Sequence, residues 1–433
     1  MSGLVDELCG KIDGKKANIG IIGMGYVGIP LGLEFVKRGF SVTGFDKDKD
    51  RVNEINAGKQ VMKHIPNGAM RNFVDDKGSA TTEFSLVSKM DCLIICVPTP
   101  LDEHEQPDMS YVKGASNDIA NHLKKGQLVV LESTTYPGTT REVVKPILEK
   151  SKLRAGKDFF LAYSPEREDP GNKEFSVSKI PKVMGGLTTN CLKVTSRLYK
   201  NIVAKTVEVS SMETAEATKL MENIFRAVNI AMVNELKLVL DRMGVNIWEV
   251  IDAAKTKPFG FMPFYPGPGM GGHCIPIDPF YLSWKAKEYN TEAKFIELAG
   301  EVNRKMTENI THRIARALND DKKSVKDSKI MIVGVAYKKD IDDMRESPSL
   351  RIMELLEYKG AKVCYHDPYV KTVKSLKNTE LTKDNIEKQD AIVITTDHTN
   401  VDYDLLAKCA RLIVDTRNRM ASVKNPKARI IRA

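Results

Sequence analysis

The chain has 433 residues, of which 42% are hydrophobic and 28% are charged, and its formal net charge is +9. A chain of this length is too long to form one hydrophobic core, so two or three domains are expected. The composition is that of a soluble globular protein. No apolar run approaches the roughly 20 residues of a membrane span, and we expect no membrane partner. The positive charge favours anionic partners. Basic residues alternate with acidic ones, however, which favours a phosphorylated small molecule over a nucleic acid.

The seven cysteines are odd in number and scattered along the chain. They do not form the close pairs that are typical of metal sites, so we expect no metal. The N-terminal residues lack an apolar signal core. We therefore expect a cytoplasmic protein with reduced thiols.

The first predicted unit is a strand, a glycine turn, a helix and a second strand that ends in Asp46. Gly23 permits a tight turn, Gly25 lets the backbone approach a pyrophosphate, and Gly28 allows the helix to pack closely on the strand. Asp46 lies 18 residues after Gly28, where an acid hydrogen-bonds the ribose hydroxyls of NAD. Arg51 follows it closely, which keeps NADP open as the alternative cofactor.

Two further strands of this unit end in polar residues. Residues 91–99 end in Thr99, and residues 127–135 end in a run that contains Thr134. In a doubly wound sheet the carboxyl ends of the strands line the ligand crevice. The predicted cofactor-binding residues are therefore Gly23, Gly25, Tyr26, Val27, Gly28, Asp46, Arg51, Thr99 and Thr134.

A long helix is predicted over residues 212–243, with Ser211 as its cap and Gly244 as its stop. Lys219 and Asn223 are four residues apart on this helix and therefore share a face. From the residue types alone, an exposed surface pair is the favoured interpretation.

A glycine- and proline-rich segment, residues 265–281, precedes a second amphipathic stretch at 291–319. Its glycines let a ligand approach Cys274 closely, and Asp278 follows four residues later, a spacing that could place both side chains on one helical face. The segment predicts a reactive cysteine with a base nearby. A buried, unreactive cysteine in an ordinary loop is the alternative.

The C-terminal part of the chain repeats the plan of the N-terminal part. Asp46 recurs as Asp367, 321 residues later, whereas Gly23 recurs as Gly334, 311 residues later. The second copy thus carries ten extra residues, which fall in the basic stretch 337–346 where the first copy has its glycine turn. We expect a second phosphorylated ligand other than NAD there.

The predicted fold class is α/β, with two Rossmann-like doubly wound domains joined by a central helical region that contains a long helix. The predicted domain boundaries are 1–205, 206–320 and 321–433.

Seven segments in order along essentially the whole chain carry a family resemblance. They are the glycine turn at 23–28, VPTP at 97–100, EST at 132–134, SPERE at 164–168, the helix with Lys219 and Asn223, GGHCIPID at 271–278 and YKKDIDDMRESPS at 337–349. In these segments the chain resembles the UDP-glucose/GDP-mannose dehydrogenase family of nucleotide-sugar 6-dehydrogenases. The resemblance implies that domain 1–205 binds NAD, that 206–320 carries the dimer contact and the catalytic loop, and that 321–433 binds the nucleotide sugar.

The segments around Cys274 are most similar to the branch of this family that acts on UDP-N-acetylhexosamines. The resemblance implies UDP-N-acetylglucosamine as the substrate and a uronic acid for surface polysaccharide synthesis as the product. UDP-N-acetylmannosamine, the galacto epimer and UDP-glucose remain alternatives, because they differ by one hydroxyl orientation or one acetamido group.

The resemblance also implies a mechanism in which the C6 alcohol is oxidised twice, with two NAD. Cys274 would be the nucleophile, forming a thiohemiacetal and then a thioester. Lys219 and Asn223 would stabilise an oxygen as it gains negative charge. Asp278, with Thr134, would activate the water that hydrolyses the thioester.

The acid–base carboxylates of the family fall in the SPERE segment. Glu166 would assist in proton transfer, and either Glu168 or Asp169 would be a second acid. The substrate-binding residues implied by the resemblance are Glu166, Arg167, Lys219, Asn223, Tyr265, Gly267, Gly271, Lys338 and Arg417.

Family members generally dimerise through the long central helix, and we expect at least a homodimer. Some members supply an arginine from a neighbouring subunit about sixteen residues before the cysteine. This chain has Lys255 and Lys257 in that vicinity, so subunit sharing of the site stays open. Two other functions are alternatives, a two-electron dehydrogenase of the hydroxyacid type and a non-catalytic sensor of NAD or a nucleotide sugar.

Overall fold

The computed structural model describes residues 2–62, 65–104, 106–167, 178–272 and 275–433. Its contacts divide the chain into two compact units. The first unit consists of Met1–Glu222 and Phe280–Thr291, and the second unit consists of Asn223–Pro279 and Glu292–Ala433.

The first unit is built on an eight-stranded sheet. Its strands are β1 (Asn18–Ile22), β2 (Ser41–Phe45), β3 (Gly78–Thr81), β4 (Cys92–Ile95), β5 (Leu128–Leu131), β6 (Phe160–Tyr163), β7 (Lys182–Gly186) and β8 (Thr206–Glu208). The spatial order is β3-β2-β1-β4-β5-β6-β7-β8, and β7 runs antiparallel to β6. The first six strands follow the order of a dinucleotide-binding sheet, which confirms the predicted fold class. Strands β3, β6, β7 and β8 were not predicted from the sequence.

Helices cover this sheet, and strands β4 and β5 are buried along their whole length. This burial explains their continuous apolar sequences, because a parallel sheet has helices on both faces. The helices are α1 (Ser2–Asp13), α2 (Gly28–Lys37), α3 (Lys49–Asn56), α4 (Ala69–Asp75), α5 (Ser110–Ala120), α6 (Lys145–Leu148) and α7 (Thr189–Tyr199). Cys92 and Cys96 are buried on β4 and just after it.

The predicted long helix is α8 (Met212–Arg242). The Ser211 hydroxyl accepts a hydrogen bond from the backbone N–H of Thr214 at 3.1 Å, as a cap does. Gly244 follows the helix with a φ of +73°, which favours glycine and ends the helix. The remaining helices are α9 (Ile247–Ala254), α10 (Asp278–Lys287), α11 (Lys294–Asp320), α12 (Pro348–Tyr358), α13 (Lys383–Glu387) and α14 (Tyr403–Cys409).

The second unit contains a five-stranded parallel sheet. Its strands are β9 (Lys329–Val333), β10 (Lys362–His366), β13 (Ala391–Ile394), β14 (Leu412–Asp415) and β15 (Arg429–Arg432). The order β10-β9-β13-β14-β15 is the other common doubly wound order. A separate antiparallel hairpin pairs β11 (Thr372–Val373) with β12 (Leu376–Lys377).

The predicted repeat is confirmed by equivalent hydrogen bonds in the two sheets. The N–H of Gly23 donates to the carbonyl of Phe45 at 2.8 Å, and the N–H of Gly334 donates to the carbonyl of His366 at 2.9 Å. Both glycines have positive φ, +97° and +85°. Across the described part of the chain, no helix has the length and apolar character that crossing a membrane requires.

Candidate active site

The glycine turn between β1 and α2 has the three properties expected of it. A Cβ at Gly23 would lie 2.8 Å from the carbonyl oxygen of Cys96, and a Cβ at Gly28 would lie 2.0 Å from that of Gly23. These two glycines are therefore required by close packing. A Cβ at Gly25 would meet no atom within 4 Å. Open space remains beside the backbone at Gly25, where a pyrophosphate would approach the start of α2.

Asp46 and Arg51 both contact this turn. One carboxylate oxygen of Asp46 accepts from the N–H of Met24 at 2.9 Å, and the other accepts from the N–H of Asp48 at 3.0 Å. The Arg51 guanidinium donates to the carbonyl of Met24 at 3.3 Å. Tyr26 and Val27 lie within the turn, and Tyr26 is 38% exposed. The cofactor-binding residues predicted at the glycine turn thus lie together, and their arrangement fits NAD.

The segments after β4 and β5 are joined by a hydrogen bond from a side chain to the backbone. The Ser133 hydroxyl donates to the carbonyl of Val97 at 2.7 Å. Thr99 is buried and Thr134 is half-buried. Both loops therefore lie at the carboxyl edge of the sheet, the edge where ligands bind in this fold.

Glu166 lies in a buried cluster of ionisable side chains. The Lys182 ammonium donates to Glu166 at 2.8 Å and to Glu132 at 2.9 Å, and the hydroxyl of Tyr199 donates to the second oxygen of Glu132. Burial opposes the charge on Lys182, but the two carboxylates outweigh it and raise the pKa of Lys182. Burial raises the pKa of Glu132. Arg167, the neighbour of Glu166, forms its own ion pair with Glu222 at 2.6 Å.

No role was predicted for Glu132, Lys182 or Tyr199. Glu132 appeared only as part of the EST segment. Lys182 follows Glu132 by 50 residues and begins a strand that was not predicted. No local spacing pattern connects such residues, so only the tertiary structure could have shown the cluster.

Lys219 and Asn223 are buried on α8, with exposed fractions of 7% and 0%. The interpretation as an exposed surface pair is therefore wrong. The Lys219 ammonium has no hydrogen-bond or ion-pair partner among the residues that the structure describes. An unpaired buried cation is costly, and an oxygen of a bound ligand would offset that cost.

Asn223 connects Asp278 to Arg226, a residue that the sequence analysis missed. The Asn223 Nδ2 group donates to the carboxylate of Asp278, and Arg226 donates to Asn223 Oδ1. Because a guanidinium only donates hydrogen bonds, the amide orientation is fixed by its partners. The second hydrogen of Nδ2 has no acceptor within the described ranges. The i, i+3 spacing of Asn223 and Arg226 was the available signal.

Asp278 is buried and is the first residue of α10. The predicted sharing of a helical face with Cys274 depends on a residue outside the described ranges and stays a prediction. A carboxylate in this position is stabilised by the positive end of the helix dipole. Cys274 itself lies outside the described residues, as do His273, Glu168 and Asp169.

The glycine-rich loop before Cys274 packs against the second sheet's own loops. A Cβ at Gly267 would lie 2.4 Å from the Arg417 guanidinium, and a Cβ at Gly271 would lie 2.7 Å from Tyr337. These glycines therefore make room for protein side chains. Arg417 donates through Nε to the carbonyl of Thr395 at 2.9 Å, and burial lowers its pKa.

Tyr265 and Lys338 are less enclosed. Tyr265 is 43% exposed, and its hydroxyl donates to Asp252 at 2.8 Å. Lys255, at the place considered for a shared arginine, contacts the same hydroxyl at 3.3 Å. Lys338 is half-buried in the basic insertion. Within the second unit, the structure thus brings Asn223 together with Asp278 and Gly267 with Arg417.

Comparison with known proteins covers nearly the whole chain. Residues 17–203 match the NAD binding domain of the UDP-glucose/GDP-mannose dehydrogenase family, residues 213–305 match its central domain, and residues 331–422 match its UDP binding domain. The UDP-N-acetyl-D-glucosamine 6-dehydrogenase of Pseudomonas aeruginosa is 38% identical over 359 residues, which cover 82% of this chain and 84% of that protein.

A second relative and a solved structure show the same extent of similarity. The UDP-N-acetyl-D-mannosamine dehydrogenase of Pyrococcus horikoshii is 34% identical over 413 residues, covering 92% of this chain and 95% of that protein. The solved structure of the UDP-D-ManNAc dehydrogenase from Pyrococcus horikoshii superposes with a TM-score of 0.87 at 32% identity, covering 96% of this chain and 99% of that one. The chain contains an NAD-binding domain, and it belongs to the UDP-glucose/GDP-mannose dehydrogenase family.

Proposed function

We propose that the protein is an NAD-dependent nucleotide-sugar 6-dehydrogenase that converts the C6 alcohol of UDP-N-acetylglucosamine to the uronic acid. The single observation that carries the proposal is the buried hydrogen bond between Asn223 and Asp278. It joins a donor that can stabilise an oxyanion to a carboxylate that can activate water, 55 residues apart in the chain. The P. aeruginosa relative at 38% identity, named a UDP-N-acetyl-D-glucosamine 6-dehydrogenase, supports the sugar class.

The proposed reaction removes two hydrides from C6 and adds one water. NAD, when bound, accepts the hydride in each oxidation. The Cys274 thiolate adds to the C6 aldehyde to form a C–S bond, and the resulting thiohemiacetal becomes a thioester when its C6 hydride leaves. Water then cleaves the C–S bond, which releases the carboxylate and restores the thiol. Four electrons leave the sugar, so two NADH form for each uronic acid.

The other residues of this chain stabilise charge and move protons in the proposal. The buried ammonium of Lys219 and the free N–H of Asn223 stabilise the oxygen on C6 as it gains negative charge. Asp278 takes a proton from the hydrolytic water, with Thr134 in support. Glu166 serves the proton transfers that accompany oxidation.

Ligand binding is proposed to divide between the two Rossmann-like domains. The glycine turn at 23–28, Asp46, Arg51 and Thr99 hold NAD. Lys338 and Arg417 bind the nucleotide diphosphate, since both are cations near the carboxyl edge of the second sheet. The remaining substrate contacts in the proposal are Glu166, Arg167, Tyr265, Gly267 and Gly271. The three-part division at 1–205, 206–320 and 321–433 is part of the proposal.

Replacement of Cys274 tests the mechanism. The Cys274→Ala variant should form no uronic acid while it still binds NAD with unchanged affinity. Cys96→Ala is the matched control, because burial raises the pKa of the Cys96 thiol well above its ordinary value and keeps it unreactive. Full turnover in the Cys274→Ala variant would overturn the covalent mechanism.

A panel of nucleotide sugars tests the substrate. NADH release is measured with UDP-N-acetylglucosamine, its manno and galacto epimers, and UDP-glucose. We expect the highest kcat/KM with UDP-N-acetylglucosamine. A higher value with another of the four would change the sugar and keep the reaction, whereas lack of turnover with all four would favour the sensor.

We further propose a homodimer in which α8 forms the contact. Six large apolar side chains on or just after this helix are 42–67% exposed, and their spacing of 4, 7, 4, 3 and 4 residues places them on one face. They are Met221, Phe225, Met232, Leu236, Val239 and Met243. Analytical ultracentrifugation should show a dimer that Leu236→Glu converts to a monomer. Tyr358→Glu, on α12 at 91% exposure, is the control that keeps the dimer.

We also propose a cytoplasmic location. The six cysteines within the described ranges are free thiols, as expected in a reducing compartment. Fractionation of cells that express the chain, with activity measured in each fraction, tests this proposal.

A further inference from the structure

The ion cluster around Lys182 connects three elements of the first unit with the loop that carries Glu166. Glu132 directly follows β5, Lys182 is the first residue of β7, and Tyr199 is the last residue of α7. Glu166 lies in the loop after β6. The proposed reaction assigns a task to Glu166 and none to the other three side chains.

The geometry around Lys182 restrains the Glu166 carboxylate. The Lys182 side chain is 4% exposed and lies between two carboxylates, at 2.9 Å from Glu132 and 2.8 Å from Glu166. The other oxygen of Glu166 accepts from the N–H of Arg167 at 2.7 Å. An ammonium and a backbone N–H can only donate here, so the ionised form of Glu166 satisfies both of them.

The two carboxylates of the cluster differ in burial. The Glu132 side chain is 0% exposed and accepts from Tyr199 as well as Lys182, whereas the Glu166 side chain is 12% exposed. Burial raises the pKa of Glu132, but Glu132, like Glu166, accepts from two donors, so the two carboxylates share the positive charge of Lys182. Glu166 is the more accessible of the two groups.

We propose that Lys182 is a positioning residue that holds Glu166 ionised and oriented, so that Glu166 enters the reaction as a hydrogen-bond acceptor and base. This inference rests on the proposed function. The competing explanation is structural, in which Lys182 only ties β5, β7 and α7 together and Glu166 is a passive partner of the ion pair.

The pH dependence of kcat/KM for NADH release with UDP-N-acetylglucosamine distinguishes the two explanations. In Lys182→Met, loss of the ammonium should move the acidic limb to higher pH by about one unit or more and lower the maximum about tenfold. Lys182→Arg should keep the limb within a few tenths of a unit of the unaltered position, because a guanidinium supplies the same charge. Glu166→Gln should lose the limb.

Glu132→Gln tests the same inference without removing a buried cation. It therefore provides an independent test if Lys182→Met fails to fold. Removal of the competing carboxylate leaves the charge of Lys182 to Glu166, so the acidic limb should move to lower pH. Lys285→Met is the matched control, because Lys285 is also buried between two glutamates, Glu142 and Glu288, at 2.7 and 2.6 Å. The acidic limb of the pH profile of Lys285→Met should stay at the position seen in the unaltered protein.

Limbs that remain in place in both Lys182→Met and Glu132→Gln would overturn the positioning role while leaving the proposed function intact. Absence of turnover by the unaltered protein with every nucleotide sugar would instead contradict the proposed function, and the positioning role would fall with it. The two failures are thus separated by the activity of the unaltered protein.

Discussion

The two Rossmann-like sheets keep the same backbone turn but use its acid in different ways. Asp46, in the first sheet, is half-buried and accepts from two backbone N–H groups. Asp367, in the second sheet, is 0% exposed. It accepts from the N–H groups of Val335 and Ala336 and from Nε2 of His398. The acid that we propose to meet a ribose in one copy is enclosed by protein in the other.

The basic insertion explains how the second copy changed. Asp340 in this insertion has a φ of +60°, and its carboxylate accepts from the N–H of Thr399 at 2.7 Å. Its own N–H donates to Nδ1 of His398 at 2.9 Å, so Nε2 carries the proton that is donated to Asp367. The insertion and Asp367 are thereby linked through one neutral histidine. In the second copy the equivalent acid thus supports the inserted loop through His398.

The glycine turn should be essential only in the first copy. In Gly28→Ala the new Cβ would lie 2.0 Å from the carbonyl oxygen of Gly23, which forces α2 away from β1. We expect NAD affinity to fall more than about 100-fold, while UDP still binds. Gly32→Ala on the same helix is the control, since its Cβ would make ordinary contacts at 3.4 Å. Isothermal titration calorimetry of both variants measures the NAD affinity. An unchanged NAD affinity in Gly28→Ala would show that the glycine turn has no special role in the first copy.

The two acids should respond differently to the same substitution. Asp367→Asn places an amide among five donors, the backbone N–H groups of Val335, Ala336, Tyr369 and Val370 and Nε2 of His398. It should lower the free energy of unfolding by about 3 kcal/mol, with NAD affinity unchanged. Asp46→Asn should lower NAD affinity about tenfold and cost less than about 1 kcal/mol in stability. Denaturant unfolding together with NAD titration measures both quantities. Equal losses of stability would show that the acids have one common role.

The first unit should also show a pH dependence that originates in Glu216. This buried carboxyl accepts from the N–H groups of Gly138 and Thr140, and burial raises its pKa from 4.5 to about 7. Between these values the native state binds more protons than the unfolded state, so stability falls as pH rises through this interval and is level above it. The loss should reach about 3 kcal/mol.

Glu216→Gln removes this titration, and unfolding of both proteins at pH 5 and pH 8 measures it. The difference in unfolding free energy between the two pH values should be smaller in the variant by the stated amount. An identical difference in the two proteins would assign the pH dependence to other groups.

Gly25 offers the finest test of the first copy, because its missing side chain serves no protein contact. The Cβ of Gly25→Ala would meet nothing within 4 Å, so thermal stability should not change. NAD affinity should nevertheless fall about tenfold, since the methyl group would occupy the approach of the pyrophosphate. Unchanged affinity, measured by NAD titration, would place the cofactor elsewhere.

Local patterns made most of the fold predictable. The turn at 23–28, the cap at Ser211 and the stop at Gly244 depend on neighbours in the sequence, and the structure shows the corresponding elements. Short strands without alternation or a preceding glycine signal, such as β7, were missed. Their sequences carry too few residues for a periodic pattern.

The sequence predicted which residues belong to the candidate site, but it did not predict which of them contact each other. Lys219 and Asn223 were identified, but their residue types favoured an exposed pair, because burial of a lysine depends on tertiary packing. The contact of Asn223 with Asp278 and that of Lys182 with Glu132 span about 50 residues each. Such pairs have no spacing rule, so a single sequence contains no signal for them.

The division of ligands between the two sheets is tested most directly by the number of sites on the unaltered protein. Isothermal titration with NAD and, separately, with UDP should give one site per chain for each ligand. Prior saturation with UDP should leave the NAD site available. Two NAD sites per chain, or displacement of NAD by UDP, would contradict the account.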